Sequence, residues 1–171
     1  MILETKRLYL RLLRPSDLPD LRKTLQDPIA MRAYEHAFSD EECIEWLKKQ
    51  QKRYEEDGFG LWAVVLKDTD ELIGQCGITY QMVDGQKVVE IGYLFERKYW
   101  HNGYAIESAQ ACKQYAFDQL QVDAVYSIIR PSNEASIRVA LKNGMKLKTT
   151  ITKHYYGMDM PHNVYWIENP K

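Results

Sequence analysis

Apolar and polar residues change period several times along the chain, and each change marks an element. Leu8, Leu10 and Leu12 alternate with Tyr9, Arg11 and Leu13, the two-residue period of a strand over Arg7 to Arg14. Pro15-Ser16-Asp17 breaks it. Leu18, Leu21 and Leu25 then follow at helical spacing, with Ser16 or Asp17 as the cap and Asp27-Pro28 as the stop. Ser39-Asp40-Glu41-Glu42 reads as a capping box opening a second helix that runs to about Asp57-Gly58. Leu61 to Leu66 is a buried strand, and Leu72 to Gln81 another, interrupted by Gly74 and Gly77. Asp84-Gly85 predicts a tight hairpin whose returning strand is Val88 to Phe95.

From Gly103 the helical period returns. Ile106, Ala109, Lys113 by its stem, Ala116, Phe117 and Leu120 form one stripe. Val125 to Ile129 is a strand, and Asn133 to Asn143 a short helix closed by Gly144. Lys146 to Trp166 holds two final strands joined by a loop containing Gly157. The order β-α-α-β-β-β-α-β-α-β-β has no linker or repeat to divide it, so residues 1–171 are expected to form a single α/β domain with a mixed sheet.

Composition changes this picture little. A 45% hydrophobic and 27% charged chain of 171 residues can build a core, which argues against disorder. A formal net charge of −1 gives no general attraction to nucleic acid or to an anionic membrane, so neither is expected as a partner. Cys43, Cys76 and Cys112 stand more than thirty residues apart with no CxxC, which suits a reducing compartment and opposes a zinc site. Cys76 and Cys112 read as small core residues, and His36, His154 and His162 have no metal-ligand spacing. Met1 to Arg14 carries Glu4, Lys6, Arg7, Arg11 and Arg14, unlike a signal peptide, and Leu61 to Leu66 falls far short of the ~20 residues of a membrane span. A cytoplasmic location is the expectation. Tyr34, Phe38, Trp46, Tyr54, Phe59 and Trp62 are expected to pack the early helices onto the sheet, and part of the cluster could still line a pocket.

The chemistry concentrates after the hairpin. The strand ending in Glu90-Ile91-Gly92-Tyr93-Leu94-Phe95 feeds a polar turn, and the turn feeds a helix opening with Gly103, Tyr104 and Ala105. Free N–H groups and the dipole at such a helix start favour an anion, and small residues let a phosphate approach the backbone. His101 and Asn102 lie on the lip of that concavity, and Arg97 or Lys98 can add charge. A strand-turn-helix in which Gly103 is only a turn residue explains the same spacing.

The run Tyr99-Trp100-His101-Asn102-Gly103-Tyr104-Ala105-Ile106-Glu107-Ser108 resembles the acetyl-CoA signature of the GCN5-related N-acetyltransferases (GNAT). It is most similar to the branch containing the ribosomal-protein alanine N-acetyltransferases. Glu90-Ile91-Gly92-Tyr93, Asn133-Glu134-Ala135-Ser136, Ala140-Leu141-Lys142-Asn143-Gly144-Met145 and the opening Thr5-Lys6-Arg7-Leu8 match that branch in the same order. The resemblance implies a mostly antiparallel sheet flanked by helices, with two splayed central strands ending near Phe95 and at Ile129. It also implies acetyl-CoA as cosubstrate, with no metal, and acetyl transfer to a primary amine of a peptide or small molecule. Pantetheine would lie in the splay. Leu94 and Phe95 would hold the thioester end by main-chain contacts, His101, Asn102, Gly103, Tyr104 and Ala105 would seat the pyrophosphate, and Asn133 would reach the pantetheine arm.

Glu90 is the expected base, acting through water, and a main-chain N–H near Leu94 or Phe95 would meet the oxyanion. Trp100 stands where the wider family has Gln or Arg, and His101 where glycine is common. Ala140 replaces a tyrosine that many members use as the acid for the leaving thiolate, which makes Ser136 the substitute. Each has a duller alternative: Glu90 as an ion-paired strand residue, Ser136 as packing, Asn133 as a cap. An amino sugar, polyamine or aminoglycoside acceptor stays open, since Asp40, Glu41, Glu42, Glu45, Glu55, Glu56 and Asp57 could favour polycations, as does a non-catalytic CoA sensor. A homodimer is also left open.

Overall fold

A computed structural model of the chain describes residues 1–155 and 157–171, with Tyr155 described by its backbone alone. Eight strands form one sheet: β1 (Leu3–Glu4), β2 (Leu8–Arg11), β3 (Leu61–Leu66), β4 (Leu72–Val83), β5 (Gln86–Phe95), β6 (Ala124–Ile129), β7 (Lys146–Tyr155) and β8 (Met158–Glu168). Their order across the sheet is β1-β2-β3-β4-β5-β6-β8-β7. Every neighbouring pair is antiparallel except β5 and β6. Four helices cover the two faces: α1 (Leu18–Leu25), α2 (Asp40–Asp57), α3 (Tyr104–Asp118) and α4 (Glu134–Lys142). The core is correspondingly double. Leu21 and Leu25 of α1 and Cys43 and Leu47 of α2 pack on Ala63, Val65 and Leu72. Ala109, Cys112 and Ala116 of α3 pack on the opposite face, over Leu8, Leu10, Val64, Cys76 and Ile91.

The predicted elements are present, with informative differences. Ser39 caps α2 as the capping box requires, accepting from Glu42 N–H while Glu42 accepts from Ser39 N–H. Asp17 does not cap α1. Its carboxylate is turned to the Arg11 guanidinium at 2.8 and 2.9 Å and to the Arg14 N–H at 2.9 Å. Burial alone would raise its pKa, but those partners outweigh it and hold the carboxyl below its ordinary value. The Asp84-Gly85 hairpin forms with both residues at positive φ, 49° and 79°.

Gly74 and Gly77 do not interrupt β4; the strand runs straight through them because their missing side chains admit neighbours. A Cβ at Gly74 would stand 2.5 Å from Leu94 O and 2.6 Å from the Phe95 ring, and one at Gly77 would stand 2.0 Å from Gly60 O. Gly77→Ala is therefore expected to destabilise the fold by about 3 kcal/mol. A thermal melt should show a fall of roughly 6–12 °C, and a fall under about 2 °C would show that the backbone there yields.

The early aromatics divide between the faces. Tyr34, Phe38 and Trp46 cluster edge-to-face over the α1–α2 side, with ring centroids 5.7 Å (Tyr34–Trp46) and 5.8 Å (Phe38–Trp46) apart. Trp62 lies on the α3 side against Tyr115, not under the early helices, because alternation along β3 sends it there. Cys76 and Cys112 are fully buried thiols with Sγ atoms 3.7 Å apart.

Candidate active site

The parallel strands β5 and β6 meet at a single registered pair, Glu90 opposite Tyr126. Two further contacts close the angle. Ser127 Oγ donates to Ile91 O at 2.9 Å, and Ile128 N–H donates to Glu90 Oε2 at 2.6 Å. Beyond them the strands diverge, β5 to Phe95 and β6 to Ile129, so the family-type splay expected at Phe95 and Ile129 is present.

Alternation decides what faces the gap. Glu96 N–H donates to Ile73 O, so in the antiparallel ladder the main-chain groups of Leu94 also turn to β4, opposite Gln75. Those of Tyr93 and Phe95 turn to the gap, where the Trp100 indole donates to Phe95 O at 2.9 Å. Side chains alternate too: Leu94 packs with the α1–α2 side, Ile91 and Phe95 with the α3 side. Glu90, Gly92 and Leu94 thus share the α2 face. Between Glu90 and Leu94 the floor is open, since a Cβ on Gly92 would meet only Leu61 Cδ2, at 3.7 Å.

At the wide end, His101 and Gly103 both have positive φ, 65° and 81°, and Asn102 braces the turn by donating to Tyr99 O and Trp100 O at 3.1 and 2.9 Å. The main-chain N–H groups of His101, Asn102, Gly103, Tyr104, Ala105 and Ile106 have no partner among the described residues. His101, Asn102 and Gly103 are exposed, and Tyr104 and Ala105 half-buried. This is a concave set of free donors at the positive end of a 15-residue helix, the physical requirement for seating an anion.

The charge beside it is not the one expected. Arg97 is paired with Asp27 at 3.1 Å and Lys98 with Glu96 at 3.9 Å. The nearby cation is Arg7, whose Nη2 is 3.4 Å from where a Gly103 Cβ would be and whose guanidinium lies 4.4 Å over the Tyr104 ring. Glu107 in the first turn of α3 holds it at 2.7 Å and also takes the Arg7 N–H at 3.0 Å and the Thr5 hydroxyl at 2.5 Å. The signal for this was the Thr5-Lys6-Arg7-Leu8 match, whose purpose only the tertiary contact reveals.

Inside the splay, burial raises the pKa of Glu90 to about 7; the Ile128 N–H and the charges of Lys153 and Arg53 pull the other way without cancelling it. Its second oxygen, Oε1, has no partner among the described residues. Across the gap Asn133 Oδ1 caps α4 by accepting from Ser136 N–H at 3.3 Å, leaving Nδ2 unpartnered. The Ser136 hydroxyl makes no hydrogen bond among the described residues. Tyr93, to which sequence reasoning gave no role, ties β5 to α4 by donating to Ser136 O at 2.9 Å.

The connection from α1 to α2 roofs the cleft. Asp27 fastens it to Arg97 beyond β5, and Arg130 beyond β6 donates to Glu35 and, at 3.3 Å, to Arg32 O.

The description "Acetyltransferase (GNAT) domain" belongs to the family model that matches residues 7–146, which include the splay and the loop. The chain belongs to the GNAT acetyltransferase family. It is 41% identical over 152 residues to the uncharacterised protein YkkB of Bacillus subtilis, covering 88% of each chain. It is 30% identical over 174 residues to the uncharacterised N-acetyltransferase YoaA of the same organism, covering 99% of this chain and 98% of the relative. Among solved structures, a GNAT-family acetyltransferase from Bacillus anthracis superposes with a TM-score of 0.83 at 24% identity, over 98% of both chains. This GNAT enzyme is an acetyltransferase, and the donor of its family is acetyl-CoA. The free N–H row, Arg7 and the unpaired β5 edge fit the diphosphate and amide groups of that molecule.

Proposed function

We propose that this GNAT enzyme transfers the acetyl group of acetyl-CoA to a primary amine, that of a peptide or protein N-terminus or of a small amine. The observation that carries this reading is the row of partnerless N–H groups from His101 to Ile106 at the mouth of a splay that holds the Glu90 carboxyl. The diphosphate is assigned to His101, Asn102, Gly103, Tyr104 and Ala105, with Arg7 beside it, and the pantetheine arm to the gap, within reach of Asn133 Nδ2. Because the Leu94 main chain turns to β4, the main-chain contact expected of Leu94 moves to Tyr93, while the N–H of Phe95 keeps its own.

An amine attacks only after losing a proton, and its pKa is about 8 at a peptide N-terminus and about 10 in an alkyl amine. Glu90, with a pKa near 7, is matched to receiving that proton, directly or through one water on Oε1. The C–N bond forms, an oxyanion develops and is met by a main-chain N–H of the gap edge, and the C–S bond then breaks. The departing sulfur takes a proton from the Ser136 hydroxyl, which no described residue engages and which is refilled by the second proton the nitrogen sheds as the amide forms, while Glu90 returns its own proton to water. Amide and free thiol are the products.

Thiol release from acetyl-CoA across a peptide and amine panel, with mass spectrometry of the products, tests the reading. An acetylated amine at one-to-one stoichiometry with thiol supports it, and binding without turnover for every amine contradicts it. Ser136→Ala should lower kcat about tenfold, at the weak end for a general acid that water can replace, with little change in the KM for acetyl-CoA. An unchanged kcat would remove the acid assignment.

A further inference from the structure

The α2 side of the cleft gathers positive charge that no ion pair among the described residues takes up. Trp46, Lys49 and Arg53 recur at three- and four-residue spacing on α2, one stripe flanking the buried Cys43, Leu47 and Gln50. Trp46 shows which way the stripe looks, because its indole donates to Gln75 of β4 at 2.7 Å, opposite Leu94. Glu90 lies on this same face of β5. Arg53 is steadied by Gln50 Oε1 at 3.1 Å and acts electrostatically on Glu90.

From the other side the β7–β8 hairpin folds over the β4–β5 hairpin, with Val164 and Ile151 packed against Val83 and Val88. That packing brings Lys153 into electrostatic range of Glu90, Lys49 and His162. Among the described residues Lys49, Arg53 and Lys153 enter no ion pair. The contrast with the depression between α1 and the turn after β5 is plain. There Arg22, Lys23, Arg97 and Lys98 each have a carboxylate, in Asp40, Asp20, Asp27 and Glu96. Most acidic residues of α2 are engaged or exposed elsewhere: Asp40 holds Gln26 and Arg22, Glu42 holds Ser39 and His36, Glu56 pairs with Lys52, and Glu41, Glu45 and Glu55 are exposed, while Asp57 acts on Arg53 electrostatically without an ion pair.

The three cations outnumber the carboxylates that act on Arg53, those of Glu90 and Asp57, so the cluster keeps a net positive charge whose repulsion a ligand anion relieves. We propose that the acceptor is a primary amine that carries a carboxylate, held by Arg53, Lys49 and Lys153 while its amino group faces Glu90. The proposal rests on the reading of the β5–β6 splay as the site of acetyl transfer. It disfavours the polyamine and aminoglycoside acceptors that the acidic residues of α2 had left open, because a polycation would meet like charge.

The test compares free amino acids, the C-terminally amidated peptides Ala-Glu-Glu, Ala-Gln-Gln and Ala-Lys-Lys, and spermidine at two salt concentrations. Expected is a kcat/KM at least about thirtyfold higher for a carboxylate-rich acceptor, free amino acid or acidic peptide, than for Ala-Lys-Lys or spermidine, narrowing at high salt. At pH 9, where Glu90 stays ionised without these neighbours, Arg53→Met and Lys153→Met should each raise the KM of the preferred acceptor about tenfold, with the loss falling on KM rather than kcat and rescue by Arg53→Lys. Calorimetric binding of Ala-Glu-Glu to the enzyme with coenzyme A should weaken in parallel. Preference for spermidine or Ala-Lys-Lys, or an unmoved KM in both variants, overturns the proposal but leaves acetyl transfer standing. Failure to acetylate any amine while acetyl-CoA binds overturns both.

Discussion

Gly103→Glu is expected to lose acetyl-CoA binding by at least about a hundredfold, the largest single effect in this molecule. Three costs add at one position. The backbone there has φ 81°, a conformation costing a side chain roughly 1–3 kcal/mol. The new carboxylate lies where the diphosphate would sit and competes for the same N–H groups. It also stands beside Arg7 Nη2, 3.4 Å from the Cβ position, and competes with the diphosphate for the part of that guanidinium Glu107 does not hold. Gly103→Ala carries the backbone cost without the charge and should lose less than Gly103→Glu, about fivefold for each kcal/mol of that cost that falls on the bound state. Calorimetric titration of both variants with coenzyme A separates these contributions. Full affinity in Gly103→Glu would show that the anion binds elsewhere.

Glu90→Gln should lower kcat at pH 7 by about a hundredfold and recover toward the wild-type value near pH 9.5, where free amine is abundant. In the wild-type enzyme the acid limb of kcat/KM should fall near pH 7, since the base must be ionised and its pKa is raised to about 7. The same shift has a sign for stability. Burial disfavours the ionised form in the native state, so stability present below about pH 4.5 is lost as pH rises through about 7. Glutamine avoids that loss and can still accept the Ile128 N–H. The variant should therefore melt higher than wild type at pH 8, by about 1–3 kcal/mol, and equally at pH 4. An equal loss of activity at every pH would remove the base assignment, and a lower melting point at pH 8 would show that Glu90 is held charged.

The chain states its elements through local physics, and those were legible. The Ser39 capping box, the Asp84-Gly85 turn and the Gly103 helix start each depend on residues within a few positions of one another. What depends on distant partners was not. Asp17 reads as a cap until Arg11 claims it, and Gly74 reads as a break until Phe95 lies over it. Arg97 or Lys98 can be expected to add charge because they neighbour the loop in sequence, yet Asp27 and Glu96 engage them and Arg7 arrives from near the start of the chain. Leu94 and Phe95 were placed as a pair, but the ladder turns alternate residues in opposite directions. The charge of the acceptor side lay hidden for the same reason. Lys49 and Arg53 are neighbours on α2, but Lys153 comes into electrostatic range of Lys49 and Glu90 only through the packing of the β7–β8 hairpin.

The most direct measurement is a crystal structure of the enzyme with coenzyme A. The diphosphate is expected on the main-chain N–H groups from His101 to Ile106, with Arg7 alongside, and the pantetheine arm between β5 and β6 with its thiol toward Glu90. Coenzyme A ordered elsewhere, with that helix start free and the splay unfilled, would contradict that placement.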